Sequence, residues 1–336
     1  MQRALELAAR GLGRTAPNPM VGCVIVKGGK VIGEGWHQEY GKPHAEVNAV
    51  ERVQNKEDLV GSTVYVTLEP CAHFGKTPPC ANMLAGLPLE KVVIANIDTS
   101  KKVDGRGLEI LRQAGKIVSA GLMAEEGLFL NRRFFTFEQK KRPYIILKWA
   151  RTHDGFIARE DYSSKWISNA LSRKLVHKWR SEEPAIMVGK NTARYDNPAL
   201  TVRDWTGNDP LRIVTDRHLE LPSNLQLFDG KVSTLYYNLL KADKHENLEY
   251  IKLNPEQYLE QLVTDLASRD IQSVIIEGGA TLLRSFIDLG LWDEARVFKS
   301  NKIFEKGITA PQIKGLLPVK SSLGSDELNI YYRDGA

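Results

Sequence analysis

One histidine, one glutamate and two cysteines have the types and spacing that a catalytic zinc site requires. Glu46 lies two positions after His44, Cys71 lies 27 positions after His44, and Cys80 follows after eight intervening residues. Zinc takes nitrogen and sulfur ligands in tetrahedral geometry, and a catalytic site keeps one position for water. Zinc makes that water acidic enough to supply hydroxide near neutral pH, and a nearby glutamate can carry the proton. The four residues therefore predict metal-assisted hydrolysis.

The motif His-x-Glu followed by Pro-Cys and a second cysteine is typical of zinc-dependent nucleobase deaminases, in which hydroxide attacks the ring carbon that bears an amino group. In that motif two residues separate the cysteines, whereas eight separate Cys71 from Cys80. Cys71 follows a strand-like run over residues 63–68, and we expect it to begin a helix. A helix N-terminus would favour the thiolate form that binds metal.

Other interpretations fit these residues one at a time. A lone His44 would more often be structural, and Cys71 and Cys80 fit a structural metal clip or two unpaired buried thiols. A purely structural zinc would need a fourth protein ligand. The ordered set, with Glu46 beside His44, favours catalysis.

The composition limits the class of protein. The chain has 336 residues, 42% of them hydrophobic, and a net charge of +5, and this length favours two domains. There is no apolar run of about 18 residues and no apolar core of a signal peptide, so we expect no membrane partner. The cysteines, with Cys23 as a buried small residue, fit a reducing cytoplasm. Because no basic and aromatic cluster is present, we expect no nucleic-acid partner and attribute the charge to a small phosphorylated substrate.

Helix and strand signals alternate along the chain, which predicts a three-layer α/β domain followed by a second α/β domain. The basic stretch 140–142 precedes a new apolar strand from residue 144, so we place the domains at 1–142 and 143–336. In the first domain we expect helices at 1–12, 44–53 and 107–114, and strands at 21–26, 31–35, 63–68, 91–97 and 116–120, with a hairpin at 27–30. In the second we expect strands at 185–189, 211–215, 232–237, 273–277 and 328–333, and helices at 169–180, 255–268 and 280–289.

A second candidate site lies where the strand at 273–277 runs into Gly278-Gly279 and a helix start. Glycines let the backbone approach a phosphate, and the free N–H groups of a helix N-terminus favour an anion. Alone, such a glycine pair is more often a tight turn. The polar segment 188–203 after another strand, and Trp166 among small polar residues, strengthen the prediction. Because no Gly-x-Gly-x-x-Gly follows a strand, these residues predict a phosphate-binding α/β domain and nothing more specific.

Three motifs, at residues 16–22, 44–49 and 69–80, resemble those of the bifunctional deaminase–reductases of bacterial riboflavin biosynthesis. The resemblance covers about residues 2–300, and the eight-residue cysteine spacing is this family's form of the motif. It implies a cytidine-deaminase-like first domain and a second domain similar to dihydrofolate reductase. The implied reactions are zinc-dependent deamination of 2,5-diamino-6-ribosylamino-4(3H)-pyrimidinone 5′-phosphate, and then NADPH-dependent reduction of its ribosyl chain to ribityl.

The resemblance also implies roles for individual residues. His44, Cys71 and Cys80 match the zinc ligands and Glu46 the catalytic proton carrier. The matched deaminase substrate contacts are Asn18, His37, His73, Lys76 and Thr77. The matched NADPH contacts are Ala150, Trp166, Thr192, Asp196, Gly279, Ala280, Thr281, Leu282, Leu283, Arg284 and Ser285. The matched reductase substrate contacts are Ser164, Arg180, Leu200, Arg203 and Glu277, where Arg180 and Arg203 would pair with the substrate phosphate.

One cofactor contact comes from position rather than from the motif match. Arg217 follows the strand at 211–215 and is a candidate to bind the 2′-phosphate that distinguishes NADPH from NADH. A plain surface arginine is an equally good interpretation.

The alternative function is a single-activity zinc deaminase, acting on a small molecule or on nucleic acid, whose C-terminal domain binds a ligand or stabilises an oligomer. A nucleic-acid deaminase would need a basic binding face. Thr192, Asp196, Arg203 and Glu277 argue against a second domain without activity. We expect a cytoplasmic homo-oligomer that acts on a small phosphorylated pyrimidine.

Overall fold

The chain folds into two units, Met1–Lys141 and Arg142–Ala336. The structure is a computed structural model, and it describes residues 1–72, 79–99, 105–163 and 167–333. Both units combine helices with a sheet, which confirms the predicted α/β class. No helix in these ranges is both long and apolar enough to cross a membrane.

The first unit is built on a sheet that has five strands among the described residues, in the order β2-β1-β3-β4-β5. β1 runs antiparallel to β2 and β3, whereas β3, β4 and β5 are parallel. The strands are β1 (Gly22–Lys27), β2 (Lys30–Trp36), β3 (Thr63–Leu68), β4 (Lys91–Asn96) and β5 (Ile117–Ala120). The helices are α1 (Gln2–Ala8), α2 (Ala45–Glu51), α3 (Cys80–Gly86), α4 (Arg106–Gln113), α5 (Ala124–Leu130) and α6 (Arg132–Lys140).

The five strands and α1, α2 and α4 agree with the sequence predictions to within a few residues. The prediction that Cys71 begins a helix is wrong, because that helix begins at Cys80. A helix that started at Cys71 would carry Pro78 and Pro79 in its interior, where each would remove a hydrogen bond and clash with the preceding turn.

Helix α2 packs very closely on β2 because β2 carries two glycines. A Cβ atom on Gly35 would lie 2.4 Å from the backbone N of Ala49 and 2.5 Å from the carbonyl oxygen of Ala45. Gly33 approaches the same helix, where its Cβ would lie 2.4 Å from the carbonyl oxygen of Ala49. Only glycine permits this backbone-to-backbone contact, which fixes the position of α2 on the sheet.

We predict that Gly35→Ala destabilises the first unit by about 1–3 kcal/mol, the usual cost of overpacking a core. Because α2 would have to move, the variant should also bind zinc more weakly. Thermal unfolding and zinc titration of the full chain measure both effects. Gly86→Ala is the matched control, since a Cβ there meets no atom within 4 Å and alanine favours a helix. Equal behaviour of the two variants would refute this account of α2.

The second unit is built on a ten-stranded sheet, counted over the described residues, in the order β11-β12-β10-β9-β8-β13-β6-β14-β17-β16. The strands are β6 (Tyr144–Arg151), β7 (Phe156–Ala158), β8 (Ala185–Gly189), β9 (Leu211–Thr215), β10 (Thr234–Asn238), β11 (Asp243–His245), β12 (Leu248–Lys252), β13 (Ser273–Glu277), β14 (Glu294–Lys299), β15 (Ile308–Thr309), β16 (Val319–Leu323) and β17 (Asp326–Tyr332). The helices are α7 (Ala170–Glu182), α8 (Lys190–Asp196), α9 (Tyr258–Ser268) and α10 (Ala280–Asp288). β7 and β15 pair separately.

The strands from β12 to β14 along this sheet are all parallel. Apolar clusters cover both faces. In β13, for example, Val274 and Ile276 enter one cluster and Ile275 the other. Burial on both faces explains why the strand is a continuous apolar run. Since parallel strands end at the same edge, β6, β8, β9 and β13 bring the residues at their carboxyl ends together.

Candidate active sites

The three predicted metal ligands of the first unit converge on one point. His44 immediately precedes α2, Cys71 follows β3, and Cys80 begins α3. Their ligand atoms all lie within 4.8 Å of one another. The Nδ1 atom of His44 is 3.5 Å from the Cys71 Sγ and 3.4 Å from the Cys80 Sγ. Tetrahedral zinc, with bonds of about 2.0 Å to nitrogen and 2.3 Å to sulfur, places these atoms about 3.5 Å apart. The donor set therefore fits zinc.

The three side chains are coupled through hydrogen bonds. The hydrogen bond with Cys80 and the neighbouring His44 lower the pKa of the Cys71 thiol. The backbone N–H of Cys80 also donates to the Cys71 sulfur at 3.3 Å. In turn, the hydrogen bond with Cys71 raises the pKa of His44. Negative charge therefore lies on the Cys71 sulfur, whereas the hydrogen bond with Cys71 raises the pKa of the Cys80 thiol, which a bound metal would have to deprotonate.

Glu46 is a buried carboxyl group beside this centre. It lies in the first turn of α2 and is only 3% exposed. Burial, together with the negative charge of Cys71, raises its pKa to about 7, and its side chain forms a hydrogen bond with Cys80. A carboxyl group with a pKa near neutrality can both accept and release a proton at working pH.

Two predicted deaminase contacts, His37 and Asn18, adjoin the centre. The His37 ring meets the His44 ring edge to face, with centroids 5.4 Å apart. Burial lowers the pKa of His37, so the ring is neutral. Its Nδ1 lies 3.2 Å from the Pro43 carbonyl oxygen and its Nε2 lies 3.1 Å from the Asn18 Nδ2. The tautomer that satisfies both partners carries its proton on Nδ1. The other predicted contacts, His73, Lys76 and Thr77, lie outside the described residues.

Glu69 supports the segment that carries Cys71, a role that the sequence analysis missed. Its buried carboxylate accepts hydrogen bonds from the backbone N–H groups of Asp98, Gly105 and Gly107, the last at 2.8 Å. At Gly107 a Cβ would lie 2.2 Å from the Pro70 carbonyl oxygen. The sequence signal was an acidic residue directly after an apolar strand and directly before Pro-Cys.

The second unit contains a cavity of about 1210 Å³ at the carboxyl ends of its central strands. Most of the predicted reductase residues line it: Ala150, Arg180, Thr192, Asp196, Leu200, Arg203, Arg217, Glu277, Gly279, Ala280, Thr281, Leu282, Arg284 and Ser285. Leu283 is an exception, since its side chain is fully buried in the apolar core. Successive helical residues point about 100° apart, so Leu283 turns away from the cavity that its neighbours face. Ser164 and Trp166 lie outside the described residues.

The turn between β13 and α10 fits a dinucleotide. Gly278 and Gly279 have φ angles of +91° and +75°, which side chains adopt only with strain. A Cβ on either glycine would lie 3.2–3.3 Å from the Thr192 Oγ1. No side chain of the described residues caps α10, so its first N–H groups suit a pyrophosphate. The cavity exceeds the roughly 300–1,000 Å³ of small-ligand pockets, which suits NADPH with a second ligand.

Glu277 stands at the inner end of this cavity between two cations. The Arg180 Nε and Nη2 each donate to its carboxylate at 2.9 Å, and the Lys148 Nζ lies 3.4 Å away. Burial alone would raise the pKa of Glu277, but Arg180 and Lys148 lower it to about 2. Arg180 also donates from Nη1 to the Thr201 carbonyl, whereas the Arg203 side chain is exposed.

Lys148 is a further cavity residue that the sequence analysis missed. Burial lowers the pKa of its ammonium group. The signal was a lysine between apolar residues in the interior of β6, a position where an unpaired charge would be costly.

We predict that Glu277→Gln lowers the unfolding free energy of the second unit by about 3–5 kcal/mol, because it leaves two buried cations uncompensated. Urea unfolding followed by tryptophan fluorescence reports on this unit, which holds five of the six tryptophans. Glu220→Gln is the control, since it breaks an exposed pair with Lys190 and should cost less than about 1 kcal/mol.

The effect of Glu277→Gln should also depend on pH. The folded pKa of Glu277 is depressed from 4.5 to about 2, so its stabilisation is complete above pH 4.5 and disappears as the pH falls towards 2. The gap between the wild type and Glu277→Gln should therefore shrink over that window. A gap that stays constant would contradict this assignment.

Two family models match the chain. The model described as the RibD C-terminal domain matches residues 143–316. The model described as the cytidine and deoxycytidylate deaminase zinc-binding region matches residues 1–96. These matches confirm the predicted fold class, with a cytidine-deaminase-like first domain and a reductase second domain similar to dihydrofolate reductase.

Curated relatives and solved structures match nearly the full length. The riboflavin biosynthesis protein RibD of Aquifex aeolicus is 40% identical in an alignment of 331 residues, which covers 96% of this chain and 92% of that protein. The crystal structure of a diaminohydroxyphosphoribosylaminopyrimidine deaminase/5-amino-6-(5-phosphoribosylamino)uracil reductase from Thermotoga maritima has a TM-score of 0.90 at 38% identity, covering 99% of this chain and 97% of that one. RibD of Acinetobacter baumannii has a TM-score of 0.88 at 34% identity, with 98% and 97% covered.

Proposed function

The chain belongs to the RibD family of riboflavin biosynthesis proteins, and on this basis we propose how its two units share the deaminase and reductase steps. The first unit, Met1–Lys141, removes the 2-amino group of 2,5-diamino-6-ribosylamino-4(3H)-pyrimidinone 5′-phosphate. The second, Arg142–Ala336, then reduces the ribosyl chain to ribityl with NADPH. A single-activity deaminase is not favoured, because the matches cover both units.

The observation that carries the deaminase assignment is the buried Glu46 beside three converging zinc ligands. His44, Cys71 and Cys80 would hold zinc. When bound, zinc makes a water molecule acidic enough to supply a nucleophilic hydroxide near neutral pH. Glu46, with its pKa near 7, accepts a proton on its carboxylate and returns it to the departing amino group. The fixed ring of His37 and the amide of Asn18 orient the pyrimidine.

In the reductase cavity NADPH would supply a hydride. The Gly278-Gly279 turn and the N–H groups at the start of α10 bind its pyrophosphate, and Thr192, Asp196 and Ala150 line its site. Glu277 stays ionised and holds Arg180 and Lys148 in place. Because burial lowers the pKa of Lys148, its Nζ is the acidic N–H group at the inner end of the cavity. Arg203 binds the substrate phosphate.

We also propose that the protein acts in the cytoplasm as a homo-oligomer, on a small phosphorylated pyrimidine and without nucleic acid or membrane. The modest net charge and the three free cysteines support this.

We predict that Glu46→Gln abolishes ammonia release from the diaminopyrimidinone substrate while zinc stays bound, because an amide cannot carry the proton. NADPH oxidation from that substrate should disappear in the variant and return when the deaminated intermediate is added. Glu51→Gln, on the exposed end of the same helix, is the control and should behave as the wild type. Ammonia release by Glu46→Gln would remove Glu46 from the mechanism, and wild-type protein that never oxidises NADPH with the intermediate would remove the reductase assignment.

Arg217 allows a separate prediction about the cofactor. Its exposed guanidinium lines the cavity and stacks over the Tyr258 ring at 4.9 Å. If it binds the 2′-phosphate, Arg217→Ala should raise KM for NADPH about 10-fold or more, as loss of a charge-assisted hydrogen bond does, and leave KM for NADH unchanged. Arg112→Ala, on the exposed side of α4 in the other unit, is the control. An unaltered NADPH/NADH preference would make Arg217 a plain surface residue.

A further inference from the structure

We propose that His177 is a positioning residue of the reductase cavity, which fixes the backbone of Arg203 and thereby sets how tightly the substrate phosphate is held. The proposal rests on the proposed function, in which Arg203 binds that phosphate. It assigns His177 no contact with the reacting atoms.

The contact between His177 and Arg203 is a single directed hydrogen bond. His177 lies on α7, lines the cavity and is only 5% exposed. Its Nδ1 accepts the backbone N–H of Arg203 at 3.1 Å. Because Nδ1 accepts, a neutral ring must carry its proton on Nε2, which lies 3.6 Å from the Asp204 carboxylate.

The segment that carries Arg203 has no regular structure of its own. It connects the end of α8 at Asp196 to the start of β9 at Leu211. Within it, Thr201 accepts a hydrogen bond from Arg180, and Arg203 donates to His177. His177 and Arg180 are three residues apart on α7, so both lie on one face of that helix. This face therefore supplies two anchors for the segment.

The charges around His177 keep its ring neutral. Arg180 on α7 and Arg203 on the segment are positive, whereas Asp204 on the segment and Glu277 on β13 are negative. Burial and the charge of Arg180 lower the pKa of His177 below 6.5. A second proton would have to enter on Nδ1, where it would oppose the Arg203 N–H. Protonation therefore breaks the hydrogen bond between His177 and the Arg203 backbone. It also places a positively charged ring, which can no longer accept a hydrogen bond, beside Arg180 and Arg203.

Three substitutions separate this role from a general packing role. His177→Ala removes the acceptor, His177→Asn keeps an oxygen near the position of Nδ1, and His177→Gln moves the amide towards the position of Nε2. We expect His177→Ala and His177→Gln to raise KM for the deaminated intermediate about 3- to 10-fold, the range for one lost hydrogen bond. kcat should change less than about 2-fold, and His177→Asn should restore KM. A fall in kcat at constant KM, or no rescue by asparagine in a folded variant, would overturn the proposal.

A double-mutant cycle tests whether His177 acts through Arg203. Arg203→Ala should raise KM for the intermediate, and adding His177→Ala should raise it by less than about 2-fold more. Effects that multiply would overturn the proposal. If Arg203→Ala leaves KM unchanged, the phosphate role in the proposed function fails. Hydrogen exchange at the Arg203 amide then tests whether His177 positions this segment. The amide should be protected in wild type and in His177→Asn, and unprotected in His177→Ala. Equal protection in all three would refute it.

The pH profile gives a measurement that does not depend on the alanine variant folding. In wild type, KM for the intermediate should rise as the pH falls below 6.5 and the ring gains a proton. The substrate phosphate also gains a proton in this range, so KM should rise in His177→Asn as well, but less steeply, because its side chain does not titrate. Parallel profiles for the two proteins would contradict the proposal.

Discussion

Glu277 is buried at the end of β13, and the two cations that compensate its charge hold the reductase cavity together. Lys148 is its register partner on the neighbouring strand β6, and Arg180 reaches it from α7. A buried carboxylate without these partners would be costly, so the three side chains fix the distance between helix and sheet. All three side chains line the cavity. The glycine turn at the start of α10 follows Glu277 directly, so the position of Glu277 also determines where the proposed cofactor site lies.

Glu46 in the first unit shows what the same side chain does without such cations. It is as buried as Glu277, but among the described residues its neighbours are thiols and one imidazole. Burial therefore dominates and brings its pKa to about 7, whereas the pKa of Glu277 falls to about 2. One carboxyl group is suited to exchange protons and the other to remain an anion. The environment of each glutamate, rather than its chemistry, divides their roles.

Much of this arrangement could be predicted from the sequence, because strands and motifs are local signals. The strands of the first unit and those around β13 follow apolar runs bounded by turn residues, and the zinc ligands follow their spacing. What the sequence did not show depends on distant partners. α6 was missed because its buried face, formed by Phe134 and Phe135, is defined by packing against Leu68, which is distant in the sequence. Lys148 and His177 were missed because their partners lie 129 residues away for Lys148 and 26 for His177. The position of α3 was predicted wrongly because the strand before Cys71 outweighed the two prolines that follow it.

The position of Arg203 depends on distant partners in the same way, and those partners lead back to Glu277. Arg203 lies on a segment without helix or strand, so its position has to come from side chains elsewhere. Arg180 provides one anchor through Thr201, and it is itself held by Glu277. His177 provides the other, one turn earlier on α7. Both anchoring side chains belong to α7, and the contacts of Glu277 with Arg180 and Lys148 fix that helix to the sheet. An irregular segment that is held in this way can be as well positioned as a strand. The position of Arg203, the proposed phosphate partner, thus depends in part on the charge compensation around Glu277.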